Sequence, residues 1–304
     1  MASGKEAARR KKKEKARKDA AKQHHNRVRI ERVDPSTLPK TAVPRALIDD
    51  IRAKRDLLVG EDLVRHVVRR YIKKHPTIAK HFQDPQFVRS REYETMKKWV
   101  RQELRVLVGL FVVKHDFQKL LTASTDTILQ GHRSTAERAP FYEQLYPELF
   151  DGKMPSHILD LCAGLNGCAY SYLGCTPKYT AVDVSPELMA FTQAWFDRHS
   201  IAGKTYAQDC TTLSATQLAV GDTVFLFKAM DVLERVRYGY GEKLLNELFA
   251  TPGRRVIVSF ARASVSGSHT ISLSKRSWVE RWAEEHGRSV RIVDTENERY
   301  YVLE

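Results

Sequence analysis

Two short apolar runs, each carrying an acid and each followed by a break, constrain this chain more than any other feature. Residues 158–161 contain Asp160 and give way to a loop with Gly164 and Gly167. Residues 179–182 end on Asp183, after which Ser185-Pro186-Glu187 reads as a helix start. Ser185 suits the N-cap, and Pro186 the first helical position, where its missing N–H costs nothing. Strand, glycine loop, helix, strand, acid, helix is the first half of a nucleotide-binding α/β sheet. Ligands of such sheets lie beyond the carboxyl ends of the strands. Asp183 follows the loop by about twenty residues, where a carboxylate meets ribose hydroxyls.

The loop narrows the choice of nucleotide. A dinucleotide fold requires G-x-G-x-x-G, so that backbone amides wrap a pyrophosphate. Cys162-Ala163-Gly164-Leu165-Asn166-Gly167 offers two glycines and is preceded by Asp160, an acid that would repel a diphosphate. Beside S-adenosylmethionine, which has no phosphate and carries an ammonium and a sulfonium, the same acid is favourable. D-x-x-x-G followed by a strand ending in Asp therefore reads as a class I methyltransferase. A glycine turn in an unrelated α/β fold is the alternative.

With 304 residues, 42% of them hydrophobic, the chain is long enough for one large domain and a smaller one. Its 51 Lys+Arg against 37 Asp+Glu leave a net charge of +14, which favours a polyanionic partner, nucleic acid first. No uninterrupted apolar stretch is long enough to span a membrane, and the N-terminus lacks a signal-type apolar core, so a cytoplasmic protein is expected. Cys162, Cys168, Cys175 and Cys210 form no C-x-x-C pair and read as reduced thiols, with no metal expected.

Three regions follow from pattern. Residues 1–43 are a basic tail, with Arg9, Arg10, Lys11, Lys12 and Lys13 at its densest point, and a proline-containing linker. Too few apolar residues are present for the tail to fold alone, and it reads as disordered: an RNA-contacting arm, or a solubilising or targeting segment. Residues 44–130 repeat apolar positions at three- and four-residue steps and read as an all-α domain, including a helix over 91–113 that buries Trp99, Val106, Leu107, Leu110 and Phe111. Lys97, Lys98 and Arg101 fill its outer faces, as suits RNA docking; a lid over the cofactor domain is the alternative. Residues 131–304 hold the α/β domain, with strands read at 204–207, 222–227, 254–260, 290–293 and 300–303 in addition to the first two, hence seven. A helix over 232–250 with a Gly-Tyr-Gly interruption and another over 278–286 complete it, while 262–275, from Arg262 to the neighbourhood of Lys275, reads as a basic, RNA-facing loop.

Single residues carry the rest. Ser134 and Glu137 match the S-x-x-E capping box. Arg138 just before the domain suits a bidentate grip on a methionine carboxylate. Asp209, after the third strand, is placed to accept from an adenine amino group, or to form a turn. Lys228 stands at the carboxyl end of the fourth strand, where a reacting base would arrive. Glu234 either faces that base or pairs with Arg235 or Arg237.

Taken together, His132-x-Ser-Thr-x-Glu-Arg138 and the Phe-Tyr helix after it, Asp160-x-x-x-Gly-Leu-Asn166, Asp183, Asp209, Lys228 with Glu234, and the closing Tyr-Tyr-Val-Leu strand resemble a known family over about residues 120–304. It is the family of aminoglycoside-resistance methyltransferases that modify guanine N7 in the decoding region of 16S rRNA. The resemblance implies a Rossmann-like class I methyltransferase sheet of seven strands, S-adenosylmethionine as cofactor, and the 30S ribosomal subunit as partner of a monomeric enzyme. It implies cofactor contacts from Arg138, Asp160, Ala163, Gly164, Asn166, Asp183, Val184, Asp209 and Cys210, and catalytic roles for Lys228 and Glu234. Gly167-Cys168, Ala136 and Asp231 depart from the family pattern, which leaves room for another rRNA or a tRNA target. A small-molecule methyltransferase, which has little use for the positive excess, and an inactive RNA-binding protein on the same sheet are the remaining readings.

Overall fold

The computed structural model describes residues 39–53, 59–109, 117–262 and 277–304, which lie within one compact unit, Val33–Glu304. The basic tail with Arg9, Arg10, Lys11, Lys12 and Lys13, and the loop with Lys275, fall outside the described residues. At the centre is a seven-stranded sheet in the order β3-β2-β1-β4-β5-β7-β6. Strands β1 (His157–Leu161), β2 (Lys178–Asp183), β3 (Gly203–Ala207), β4 (Thr223–Phe227) and β5 (Arg255–Ala261) are parallel. The hairpin of β6 (Val290–Asp294) and β7 (Glu298–Leu303) closes the sheet, with β7 antiparallel to β5. The chain runs outward from β1 to β3 and then returns to lay β4 on the other side of β1, so a topological switch point opens between β1 and β4.

Continuous apolar runs fit strands covered on both faces, and all five residues of β4 are buried. One face packs on α5 (Tyr142–Phe150) and α6 (Pro186–Arg198) through Tyr142, Tyr146, Phe150, Phe191 and Trp195. The other packs on α7 (Met230–Val236), α8 (Tyr240–Phe249) and α9 (Trp278–Glu285) through Leu233, Leu244, Leu248, Val279 and Trp282. Ser185 caps α6 through the Leu188 amide, with Pro186 in the first turn, as the sequence predicts.

The N-terminal helices α1 (Arg45–Arg52), α2 (Glu61–Lys74) and α3 (Arg91–Leu104) share a core of Leu47, Ile48, Ile51, Val64, Val67, Val68, Met96 and Val100. That core also takes Val236 from α7, and the Gly60 amide donates to the Val184 carbonyl at 2.8 Å, so the helices are fastened to the sheet's carboxyl edge. Two sequence expectations need correction and a third is sharpened. The helix expected over 91–113 leaves α geometry at Leu104 and continues as a π-turn over Arg105–Gly109; Trp99 and Val106 are half-buried, and Leu110 and Phe111 lie outside the described residues. The interruption expected at Gly-Tyr-Gly within 232–250 is a full break into two helices at Gly239, whose φ of 72° is open to glycine and costly to other residues. The capping box is absent: α4 (Arg133–Arg138) has His132 at its N-cap and no side-chain cap bond. Among the described residues no helix is long and apolar enough to cross a membrane.

Candidate active site

The carboxyl ends of β1 and β2 are stitched together by one side chain. Cys162 and Gly164 both adopt left-handed φ, 57° and 53°, turning the chain back over the sheet. Asp183 accepts from the Gly164 amide at 3.0 Å and from the Ser185 amide at 2.9 Å, so it fixes the glycine loop and the start of α6 at once. Burial raises the Asp183 pKa, against the opposing pull of those amides. A Cβ on Gly164 would come within 2.8 Å of the His132 ring, which explains the glycine twice over. Asp209 accepts from the Thr211 amide at 2.8 Å and so forms a turn, as one of the two sequence readings has it. It also lines the same cavity as Asp183.

That cavity, of about 90 Å³, is bounded by Asp183, Val184, Asp209, Cys210, Lys228 and His132 on the sheet side. Leu63, Leu107 and Val108 from the helical segment close it above. Five of the sequence-predicted site residues therefore meet on one surface. Ala163 and Gly164 contribute loop backbone beside it, the Ala163 amide donating to the Val182 carbonyl at 3.1 Å.

Arg138, Asp160 and Asn166 form a separate buried layer behind the loop. The Arg138 guanidinium, 2% exposed, donates to Glu298 at 3.0 Å, to Asn166 at 2.9 Å, to Tyr142 at 3.2 Å and to the Ser134 hydroxyl. Asn166 in turn donates to Asp160 at 2.9 Å, and Tyr179 donates to the same carboxylate at 2.6 Å. Burial pushes the Asp160 pKa up to about 6 against those two bonds. Burial, with Arg138 and Lys228 nearby, pushes His132 down to about 3, so its ring is neutral.

Glu298 joins this layer to the cavity, and nothing in its sequence context marks it out. It opens β7 opposite Ala261, fully buried, and takes a hydrogen bond from the Ser259 hydroxyl as well as the charge of Arg138. Burial opposes its ionisation, yet the Arg138 and Lys228 charges hold its carboxyl below the usual range. Lys228, at φ 54°, bridges Glu298 at 3.3 Å and Glu137 at 2.6 Å. Arg138 and Lys228 thus balance Glu298 and Glu137, two cations against two acids. An acid just before an apolar strand reads as turn chemistry in sequence; only the pairing of β5 with β7 brings Glu298 to the site.

Other expected residues lie elsewhere. Glu234 does not line the cavity; its oxygens accept from the Gly239 amide at 3.0 Å and the Gly241 amide at 2.6 Å. The pairing expected with Arg235 or Arg237 is thus replaced by backbone amides. Lys97 is held by Asp50 and Glu94, and Arg101 donates to the carbonyls of Asp50 and Ile51, so these two cations brace the helical segment. Lys98 is exposed, and Arg262 donates to the Thr295 carbonyl at 3.0 Å. The Cys162 and Cys210 thiols lie 3.6 Å apart, all four cysteines are free, and no cluster of three metal-ligating side chains occurs among the described residues.

Comparison with known proteins places this geometry. A 16S rRNA (guanine(1405)-N(7))-methyltransferase of Serratia marcescens is 30% identical over 178 residues, 55% of this chain and 66% of the relative. A protein of the same name from Frankia casuarinae is 26% identical over 187 residues, 60% of this chain and 64% of the relative. The chain thus spans just under two thirds of the length of these curated relatives. Among solved structures, the 16S rRNA methylase RmtB is similar with a TM-score of 0.65 at 21% identity, over 85% of this chain and 97% of that one. The 16S rRNA methyltransferase RmtF in complex with S-adenosyl-L-homocysteine gives 0.62 at 20% identity, over 86% and 99%. Both show the sheet to be that of a class I methyltransferase. The model of the ribosomal RNA methyltransferase (FmrO) family matches residues 100–302, two thirds of the sequence, and the chain belongs to that family.

Proposed function

We propose that the chain is an S-adenosylmethionine-dependent methyltransferase that acts in the cytoplasm on guanine N7 in the decoding region of 16S rRNA, within the 30S subunit. The observation that carries the reading is the convergence of Asp183, Asp209 and Lys228, from the ends of three parallel strands, on one cavity at the switch point. Family membership and the relatives' names support the substrate.

The donor set fits the cofactor. Asp183 offers a carboxylate where a ribose would lie, Asp209 one for a base amino group, and Val184, Leu188 and Leu233 apolar walls for a purine face. When bound, S-adenosylmethionine supplies an electrophilic methyl group on a sulfonium. At about 90 Å³ the cavity is smaller than ligand sites usually are, about 300–1,000 Å³, so it must widen to admit the cofactor. Arg138, Asp160 and Asn166 act one layer back, where they hold the loop that faces the ligand.

Guanine N7 carries an in-plane lone pair outside Watson–Crick pairing, so no general base is required and alignment is the main task. Lys228 reaches the cavity with its ammonium held between Glu137 and Glu298, a donor suited to guanine O6, the acceptor beside N7. N7 in an A-form helix lies in a groove that side chains reach poorly, so the target base must be opened or flipped. Exposed Lys98, the basic tail and the segment around Lys275 are the cations we assign to RNA docking, with residues 44–130 as the docking region.

The test is transfer of labelled methyl from S-adenosylmethionine to purified 30S subunits, followed by mapping of the modified base. Cofactor binding by calorimetry with no transfer to 30S, naked 16S rRNA or tRNA would replace the enzyme by an RNA-binding protein on a methyltransferase sheet.

A further inference from the structure

Between α7 and α8 the chain makes a turn on which both oxygens of one side-chain carboxyl group are engaged. Glu234 closes it by accepting from the Gly239 and Gly241 amides. Neither glycine is replaceable without strain: Gly239 has φ 72°, and a Cβ on Gly241 would lie 2.8 Å from the Trp278 ring and 3.0 Å from the Glu234 carboxylate. Arg237 lies over the Tyr240 ring at 5.5 Å, and Tyr240 is buried with its hydroxyl donating to the Cys210 carbonyl at 2.8 Å. The turn is therefore tied on one side to Trp278 and on the other to the loop that lines the cavity.

What this frame displays is Tyr238. At 56% exposure it is the most exposed large hydrophobic side chain among the described residues. Arg235, three residues before it, is exposed and Arg237 half-buried, while on α8 Glu242 is exposed and Lys243 pairs with Glu247 at 3.3 Å. The helix that leads into the turn lines the cavity with Val232, Leu233 and Val236, and Tyr238 follows the last of these by two residues in the chain. More than half of the Tyr238 surface faces water, and the Glu234 bonds fix the turn that carries it. Aromatic rings flanked by arginines on a rigid turn suit nucleobases, which stack on them irrespective of sequence, with the guanidinium on the phosphate.

We propose that the Glu234-clamped turn presents Tyr238 as a stacking platform for an unpaired base of the RNA substrate, adjacent to the nucleotide that enters the cavity. Arg235 takes a neighbouring phosphate. Glu234 is then a positioning residue that acts through the turn, and touches neither cofactor nor target base. The inference rests on the RNA-methyltransferase reading and adds where a second base is held.

Two measurements test it. In single-turnover methylation of 30S at saturating cofactor, Tyr238→Ala should raise the half-saturating 30S concentration roughly five- to a hundredfold with cofactor affinity unchanged, the range expected for one stacked base. Tyr238→Phe, which keeps the ring, should match the wild type. Glu234→Gln should shift half-saturation in the same direction as Tyr238→Ala and leave the plateau rate alone. Wild-type half-saturation for Tyr238→Ala would overturn the platform, as would a loss in Tyr238→Phe equal to that of the alanine variant. A plateau rate that collapses in Glu234→Gln with half-saturation unchanged would return Glu234 to the chemistry. The second measurement needs no activity: quenching of a 2-aminopurine base in a single-stranded RNA oligonucleotide, wild type against Tyr238→Ala. If the wild type transfers no methyl, the proposed function fails, and this titration still decides the platform: quenching lost in Tyr238→Ala supports it, equal quenching sinks it.

Discussion

The two halves of the site are built in opposite ways. At the ends of β1 and β2, Asp183 reaches partners 19 and 2 residues away, Gly164 and Ser185. In the charged layer, Arg138 meets Glu298 across 160 residues and Lys228 meets Glu137 across 91. The first half is a local motif, complete once the neighbouring strands β1 and β2 have paired. The second exists only once the hairpin β6–β7 has docked on β5 and α4 has been laid across the sheet. Local motifs tolerate single changes because backbone geometry survives them. An assembled charge cluster does not, because each partner's removal leaves another charge buried.

That contrast is sharpest at Glu298. Glu298→Gln leaves Arg138 and Lys228 facing one acid fewer in a site where Arg138 is 2% exposed and Glu298 itself fully buried. Breaking a buried pair in this way costs about 3–5 kcal/mol. Urea unfolding should show a loss of that size, and the double variant with Arg138→Met should recover part of it. A loss under about 1 kcal/mol, the level of an exposed ion pair, would erase the distinction between the two halves.

The functional counterpart separates Asp183 from Lys228. Asp183→Ala should weaken cofactor binding by about 1.5–3 kcal/mol, the worth of charge-assisted hydrogen bonds, as read by calorimetry. Lys228→Ala should bind cofactor nearly as the wild type does, yet slow single-turnover transfer roughly ten- to a hundredfold, because its contact tightens only as the base reacts. Equal effects of both changes on cofactor affinity would mean that the two halves form one binding site.

Acid titration divides the layer further. His132 is held at about 3 against 6.5 in an unperturbed chain, so below pH 6.5 the unfolded chain takes up a proton that the folded one refuses. Its contribution to stability is whole above pH 6.5 and declines as pH falls toward 3. Asp160 has the reverse sign: its folded pKa of about 6 exceeds the ordinary 3.8, so it costs stability progressively as pH rises from 3.8 to 6 and by a constant amount above. The stability of Asp160→Asn relative to wild type should therefore climb across that window and then level off. The His132 ring proton resonances should stay put from pH 8 to 5. A His132 shift centred near 6.5 would show the ring reaching water.

Much of this was legible in the residues, and the failures share a cause. The seven strands, their acids and the α6 cap follow from periods and spacings that act within a few residues. Ser134-x-x-Glu137 shows the limit, for it has the spacing of a capping box and neither side chain caps. Ser134 accepts from Arg138, and Glu137 holds Lys228. Local and long-range uses of the same residue types look alike until packing is known. Glu298 was hidden because antiparallel pairing at the last strand alone gives it partners, and Glu234 because its acceptors are spent on backbone amides, which carry no sequence signature.

The two serines give the finest version of the test. Ser185→Ala removes an N-cap acceptor from the Leu188 amide, and a cap is worth about 1 kcal/mol. Ser134→Ala removes an acceptor from a buried guanidinium, and hydrogen bonds to charged groups are worth about 1.5–3 kcal/mol. Arg138 keeps Glu298, Asn166 and Tyr142, which favours the lower end of that range. Size alone separates the two poorly, so the decisive measurement is the cycle with Arg138→Met. Ser134→Ala should be strongly non-additive with it, since both remove one contact, by about 0.5 kcal/mol or more. Ser185→Ala, which acts through its own helix, should add to Arg138→Met within about 0.3–0.5 kcal/mol. If the Ser185 cycle proved as coupled as the Ser134 cycle, the motif at β2 would belong to the assembled cluster, and its legibility in sequence would owe nothing to local construction.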